Sequence, residues 1–168
     1  MPEKTNASRI LERNKIEFQL IEYPVDEQHL DAFHVADALG QDINSVFKTL
    51  VLHGDKNGYF VCVIQGDKEL DLKKVAKISG NKKVAMIPMK ELLPLTGYIR
   101  GGCTAIGMKK NFPVFLDEKV HTQEKIHISA GKRGLQIKLK PDDYIKVTKA
   151  IIGDLINAEE ENQSIDNI

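Results

Sequence analysis

The sequence predicts an α+β protein: a single domain with a mixed, curled, barrel-like β-sheet and short helices around it. Its 168 residues make one domain of ordinary size, and no linker-like stretch or internal repeat divides them. Six or seven strand-like segments alternate irregularly with four or five short helical ones, which argues against a regular βαβ fold and for a mixed sheet. Hydrophobic residues make up 42% and charged residues 29%, ordinary proportions for a globular chain with a full core. The folded domain is expected over 1–156. The stretch 157–168 is polar, acidic and free of aromatics, and is expected to be a disordered tail.

The elements follow from local patterns. In 5–14, Ala7, Ile10, Leu11 and Asn14 fall on one helical face, with Thr5 or Asn6 as cap. Residues 17–23 read as a strand with Phe18 and Leu20 on one side, and 24–31 as a polar loop. Residues 32–39 form a short helix that Gly40 stops. The strongly apolar 45–53 and 59–64 are paired strands joined at Asn57-Gly58, and the second is central, covered on both faces. Asp71 caps a helix over 72–79, with Leu72, Val75 and Ala76 inward and Lys73, Lys74 and Lys77 outward. A short strand over 83–87 and one helical turn over 89–93 precede a glycine-rich loop. Strands are expected over 113–116 and 125–130. Leu135, Ile137 and Leu139 alternate with Gln136, Lys138 and Lys140, as in a half-buried strand. Pro141-Asp142-Asp143 opens a last helix running to about residue 152.

Composition excludes several classes. No apolar run approaches the ~20 residues of a membrane span, and the polar MPEKTNASRI lacks the apolar region of a signal peptide. The two cysteines, Cys62 in an apolar run and Cys103 in the glycine-rich loop, give no disulfide framework, so a reducing cytoplasm is the expected compartment. All 24 Lys and Arg residues lie within 1–149 together with 19 of the 24 acids, an excess of about five positive charges. That suits a weak nucleic-acid contact and falls short of a dedicated binder. His29, His34, His53, His121 and His127 show no metal-ligand spacing, so neither a metal nor another cofactor is expected.

Three stretches carry candidate chemistry. TGYIRGGCTAIGMKK (96–110) holds four glycines in fifteen residues. Such a loop can turn backbone N–H groups towards a ligand, or simply be a tight connection. VFKTLVL (46–52) places Lys48 among apolar residues. A buried ammonium is costly unless paired, so Lys48 either snorkels to water or holds a carbonyl or phosphate oxygen at the floor of a polar pocket. ISAGKRG (128–134) combines a hydroxyl, two glycines and two cations. It could cradle a phosphate or be a basic turn, but Arg133 follows Gly131-Lys132, so it is not a P-loop. Cys103 has no histidine near it in sequence to activate it as a nucleophile.

Together with ELDLKKVAKISGNKKVAM (69–86), and with ISAGKRG extended to ISAGKRGLQIKL (128–139), these stretches resemble, in order, the YbaK/EbsC family of trans-editing aminoacyl-tRNA deacylases. That family comprises free-standing relatives of the editing domain of bacterial prolyl-tRNA synthetases. The resemblance covers about residues 5–152. It implies hydrolysis of the ester joining a wrong amino acid to the tRNA 3′ end, and, in the most similar branch, cysteine mischarged on proline tRNA. The partners implied are mischarged tRNA and prolyl-tRNA synthetase. It implies Lys48 as the functional lysine with Thr49 beside it, and Tyr23 and Phe33 in the pocket. Gly101, Gly102, Thr104 and Ala105 fall in the glycine loop, and Ser129, Gly131 and Lys132 in the second loop. Lys73, Lys74, Lys109, Lys110, Lys132 and Arg133 would meet the acceptor stem. Two residues depart from the pattern. Ala105 replaces a proline and leaves that loop freer, and Gln136 stands where relatives often carry aspartate. The readings left open are a deacylase for cysteine, one for alanine or another small amino acid, and a non-catalytic binding protein of the same fold.

Overall fold

The computed structural model describes residues 3–158. In chain order they form α1 (Asn6–Arg13), β1 (Phe18–Glu22), α2 (Ala32–Leu39), β2 (Phe47–Gly54), β3 (Gly58–Gln65), α3 (Leu72–Ser79), β4 (Val84–Met86), α4 (Leu92–Thr96), β5 (Val114–Asp117), β6 (Ile126–Ser129), β7 (Leu135–Leu139), α5 (Pro141–Thr148) and β8 (Ile151–Gly153). Short 3-10 turns lie at Ile43–Ser45, Met89–Glu91 and Glu118–Thr122.

The helices begin where their capping residues stand. Thr5 Oγ1 accepts from Ser8 N at 3.2 Å, and Ser8 Oγ accepts from Thr5 N at 2.8 Å, a reciprocal cap that satisfies two otherwise orphaned donors. Asp31 and Asp71 cap α2 and α3. Gly40 and Gly80 end those helices in the left-handed conformation.

The strands make two sheets, not one curled barrel. A three-stranded antiparallel sheet has the order β1-β7-β6, and a five-stranded mixed sheet the order β4-β2-β3-β5-β8. A barrel needs a continuous hydrogen-bonded seam, whereas among the described residues the two sheets meet through one isolated bridge, Val46 to His127. The larger core lies between them. One face of the five-stranded sheet (Phe47, Val51, Val61, Val63) meets the three-stranded sheet (Ile126, Ile128, Ile137), closed by Leu11 of α1 and Tyr144 of α5. The opposite face carries Leu52, Phe60, Cys62 and Ile64 against Val75 of α3. β3 is therefore covered on both faces, as its unbroken apolar run predicts.

Several local expectations are corrected. The β2–β3 loop has three residues, 55–57, between the paired Gly54 and Gly58, not a two-residue Asn-Gly turn. Leu72 is exposed, because the helix buries its Val75-Ala76 stripe and position 72 lies at its open first turn. The turn expected over 89–93 continues as α4 through Pro94 to Thr96, since proline in a first turn loses no intrahelical bond. Gln136 is buried because its face of β7 turns into the interior beside the cleft described below and not to open solvent. The last helix stops at Thr148, where Lys149 turns left-handed (φ 56), and the chain then forms β8, parallel to β5. Asn157 N donates to Glu69 O at 3.0 Å, so the tied chain passes the expected boundary at 156. The remainder of the expected disordered tail, 159–168, lies outside the described residues.

Candidate active site

A cleft of about 380 Å³ opens beside β2. Its floor is the start of that strand, Val46 to Leu50; α2 and the residue before its cap form one wall, and the glycine-rich loop another. Lys48 shares a strand face with Leu50 and Leu52, so its stem packs over the second core and its half-buried side chain borders the cleft. Among the described residues it has no ion-pair partner. Thr49 adjoins it on the floor, and Phe33, 58% exposed, stands at the rim.

Of the residues singled out in the sequence, Lys48, Thr49, Phe33, Gly101 and Ser129 line this cleft. Tyr23 lies in a neighbouring hollow of about 100 Å³ that shares Leu30 and Val35 with it. Gly102, Thr104, Ala105, Gly131 and Lys132 are not among the residues that line the cleft. Gly102 is where the two loops touch: a Cβ there would come within 3.0 Å of Lys132 Cα and 3.3 Å of Arg133 N. Thr104 is fully buried, and Ala105 packs against the main core. Gly131 faces the Tyr98 ring, while Lys132 pairs with Glu3 at 3.2 Å.

Hydrogen bonds within the protein tie both loops. Tyr98 donates to Ile106 O at 2.6 Å, and burial pushes its phenol up to about 12. Gly102 N donates to Ile99 O at 2.9 Å and Gly131 N to Ser129 Oγ at 3.1 Å. Those two N–H groups are thus engaged within the protein and do not face a ligand. The side chains lining the cleft that carry hydrogen-bond donors are Lys48, Thr49, Arg100, Ser129 and Gln136.

Arg100, Asp31 and Glu69 are cleft residues that the sequence reading did not select. Arg100 sits inside the glycine stretch, directly before Gly101, and Glu69 two residues before a helix cap. Asp31 is engaged: His34 Nδ1 lies 2.7 Å from its carboxylate, and that bond, with the His34 backbone N–H, holds its pKa below the ordinary range. Gln136 also lines the cleft, with a buried Oε1 that has no hydrogen-bond partner. Cys103 borders the cleft too, and burial raises its thiol to about 12, which keeps it protonated and weakly nucleophilic. Among the described residues no cluster of three or more His, Cys, Asp or Glu could hold a metal ion.

Three of the cations expected to meet RNA are paired with acids of the chain itself. Lys74 holds Asp154 at 2.8 Å, Lys132 holds Glu3, and Arg133 holds Glu27 while donating to Arg100 O. No described helix is long and apolar enough to cross a membrane.

The sequence model of the family described as "Aminoacyl-tRNA editing domain" matches residues 27–147 of this two-sheet α+β domain, most of the chain that builds the cleft. The chain belongs to that family. It is 48% identical over 157 residues to EbsC of Enterococcus faecalis, a protein named as a candidate Cys-tRNA(Pro)/Cys-tRNA(Cys) deacylase, covering 94% of this chain and 96% of that one. A 75-residue stretch is 32% identical to proline–tRNA ligase of Fervidobacterium nodosum, 45% of this chain and 13% of the ligase. The fold matches a crystal structure described as a candidate trans-editing enzyme for prolyl tRNA synthetase, with TM-score 0.80, 24% identity, and coverage of 93% and 100% of the two chains.

Proposed function

We propose that this protein is a trans-editing deacylase that hydrolyses the ester of cysteine mischarged on proline tRNA. The observation that carries the reading is Lys48, an ammonium without an ion partner among the described residues, at the floor of a cleft beside Thr49. The likeness to EbsC over nearly the whole of both chains supports the substrate, and the match to a proline–tRNA ligase segment supports proline tRNA and its synthetase as partners.

An aminoacyl ester is already activated, so the protein need only orient it and stabilise the charge that develops on the carbonyl oxygen. Lys48 donates to that oxygen, and Arg100, on the glycine-rich wall of the same cleft, holds the terminal ribose phosphate. Glu69 offers a carboxylate to the α-ammonium. Either a positioned water or the substrate's own thiol adds to the carbonyl carbon, and the ribose 3′ oxygen leaves as the hydroxyl. Cys103, held protonated, takes no part as nucleophile. Acting on tRNA, the protein works in the cytoplasm.

Alanine is the competing substrate. Deacylation of Cys-tRNA(Pro) and Ala-tRNA(Pro), measured in parallel, separates them: faster release of cysteine supports the reading, and release of alanine alone moves the specificity to the smaller side chain.

A further inference from the structure

The cleft has an apolar branch. A second hollow, of about 170 Å³, shares Thr49, Leu50, Arg100, Gly101 and Cys103 with it. Beyond that common wall the branch is lined by Val51, Met86, Ile87, Met89 and Leu92, none of which carries a charge or a hydroxyl. We propose that this branch receives the side chain of the amino acid whose ester lies in the cleft, and that it admits apolar and thioether side chains larger than that of cysteine. The proposal rests on the deacylase reading of the cleft.

Four observations converge on it. The branch adjoins the cleft through a shared wall, and charge is confined to one side of that wall. Lys48, Asp31 and Glu69 lie on the cleft side, where an ester, an ammonium and a phosphate would sit; beyond the wall the lining is hydrocarbon and thioether alone. The size suits a side chain, since an apolar cavity of ~150 Å³ is enough to hold benzene. Met86 and Met89 are 47% and 59% exposed although apolar, and apolar groups left open around a hollow mark a place where something apolar binds. Methionine also repacks readily around different shapes, which favours breadth over a single fit. The shared wall carries Cys103, whose protonated thiol adds no charge at the junction.

The test uses the whole protein, tRNA charged with alanine, cysteine or methionine, and two filling variants, Ile87→Trp and Met89→Trp. Met89 stands exposed on a short 3-10 turn, so its variant alters the branch without touching the core. Wild type is expected to release methionine within about tenfold of its rate for cysteine. Met89→Trp is expected to lower kcat/KM for the methionyl ester by about tenfold or more, the scale on which a pocket senses a methylene group or two. The alanyl ester should change by less than about threefold, because alanine does not reach the filled region. Wild type that releases cysteine or alanine but never methionine would overturn the proposal. So would filling variants that slow all three esters equally, or none of them. Release from no ester by the folded wild type would remove the deacylase reading itself, a result distinct from the loss of methionine alone.

Discussion

Lys48 and Cys103 show how far a single residue's role depends on what surrounds it. Both lie at the cleft, and both are the kind of side chain that can act on an ester. Burial drives the Cys103 thiol up to about 12, so it is not a thiolate at neutral pH. Cys103→Ala is therefore expected to keep its deacylase activity, and the wild-type thiol to resist iodoacetamide at about pH 8, where an ordinary cysteine would react. Rapid alkylation of Cys103 in the folded protein would contradict this. Lys48→Ala removes the donor to the developing oxyanion and should cost about 100-fold or more in kcat/KM. Lys48 could be picked out from the sequence because a lone cation in an apolar strand needs a reason. Gln136 misled, because its alternation with leucine and isoleucine reads as an outward face. It is buried since its face of β7 turns into the interior beside the cleft, where it meets other parts of the molecule. Neighbours of that kind lie far away in sequence and leave no local mark.

At the scale of elements, the two loops at the cleft are fitted to each other through Gly102. A methyl group there meets backbone atoms of Lys132 and Arg133, which cannot swing aside as a side chain could. Gly102→Ala should cost about 1–3 kcal/mol by overpacking and weaken deacylation along with it; a denaturant melt and an activity assay on one preparation check both. The seam between the sheets carries a second prediction. Ser45 Oγ donates to Asp42 O at 2.7 Å, so His127 Nδ1, 3.2 Å away, donates to Ser45, and its Nε2 is left buried without a partner. Burial, and then the charge of Lys138, hold His127 below its ordinary 6.5. The folded state keeps this histidine neutral. Its contribution to stability is thus full above 6.5 and falls as pH drops from there through the lowered folded value, because only the unfolded chain takes up the proton at first. His127→Asn should flatten the loss of Tm between about pH 7.5 and 5.5, and an unchanged slope would remove His127 as its source. Most helix ends and the apolar hairpin were legible in the sequence, since residues such as Gly40 and Asp71 act locally; the cap Asp31 reads as loop. β8 was not, because three residues are too few for a periodic signal and its partner β5 is more than thirty residues away.

At the scale of the molecule, two sheets packed face to face leave the cleft at the edge where they join. Most of the strands and helices could be read from the chain, but their division into two sheets could not: whether the start of β2 and β6 share a full ladder or one bridge is decided by packing between distant segments. The same division explains why the cleft gathers residues from α2, β2, the glycine stretch, β6 and β7, a set no single motif contains. The central claim is that this cleft deacylates cysteine from proline tRNA by means of Lys48. The most direct measurement is release of radiolabelled amino acid from Cys-tRNA(Pro), with wild type and Lys48→Ala side by side and folding of both verified by circular dichroism. Rapid release by wild type with almost none by Lys48→Ala is the result predicted. Equal release by both folded proteins, or none by the wild type, would contradict it.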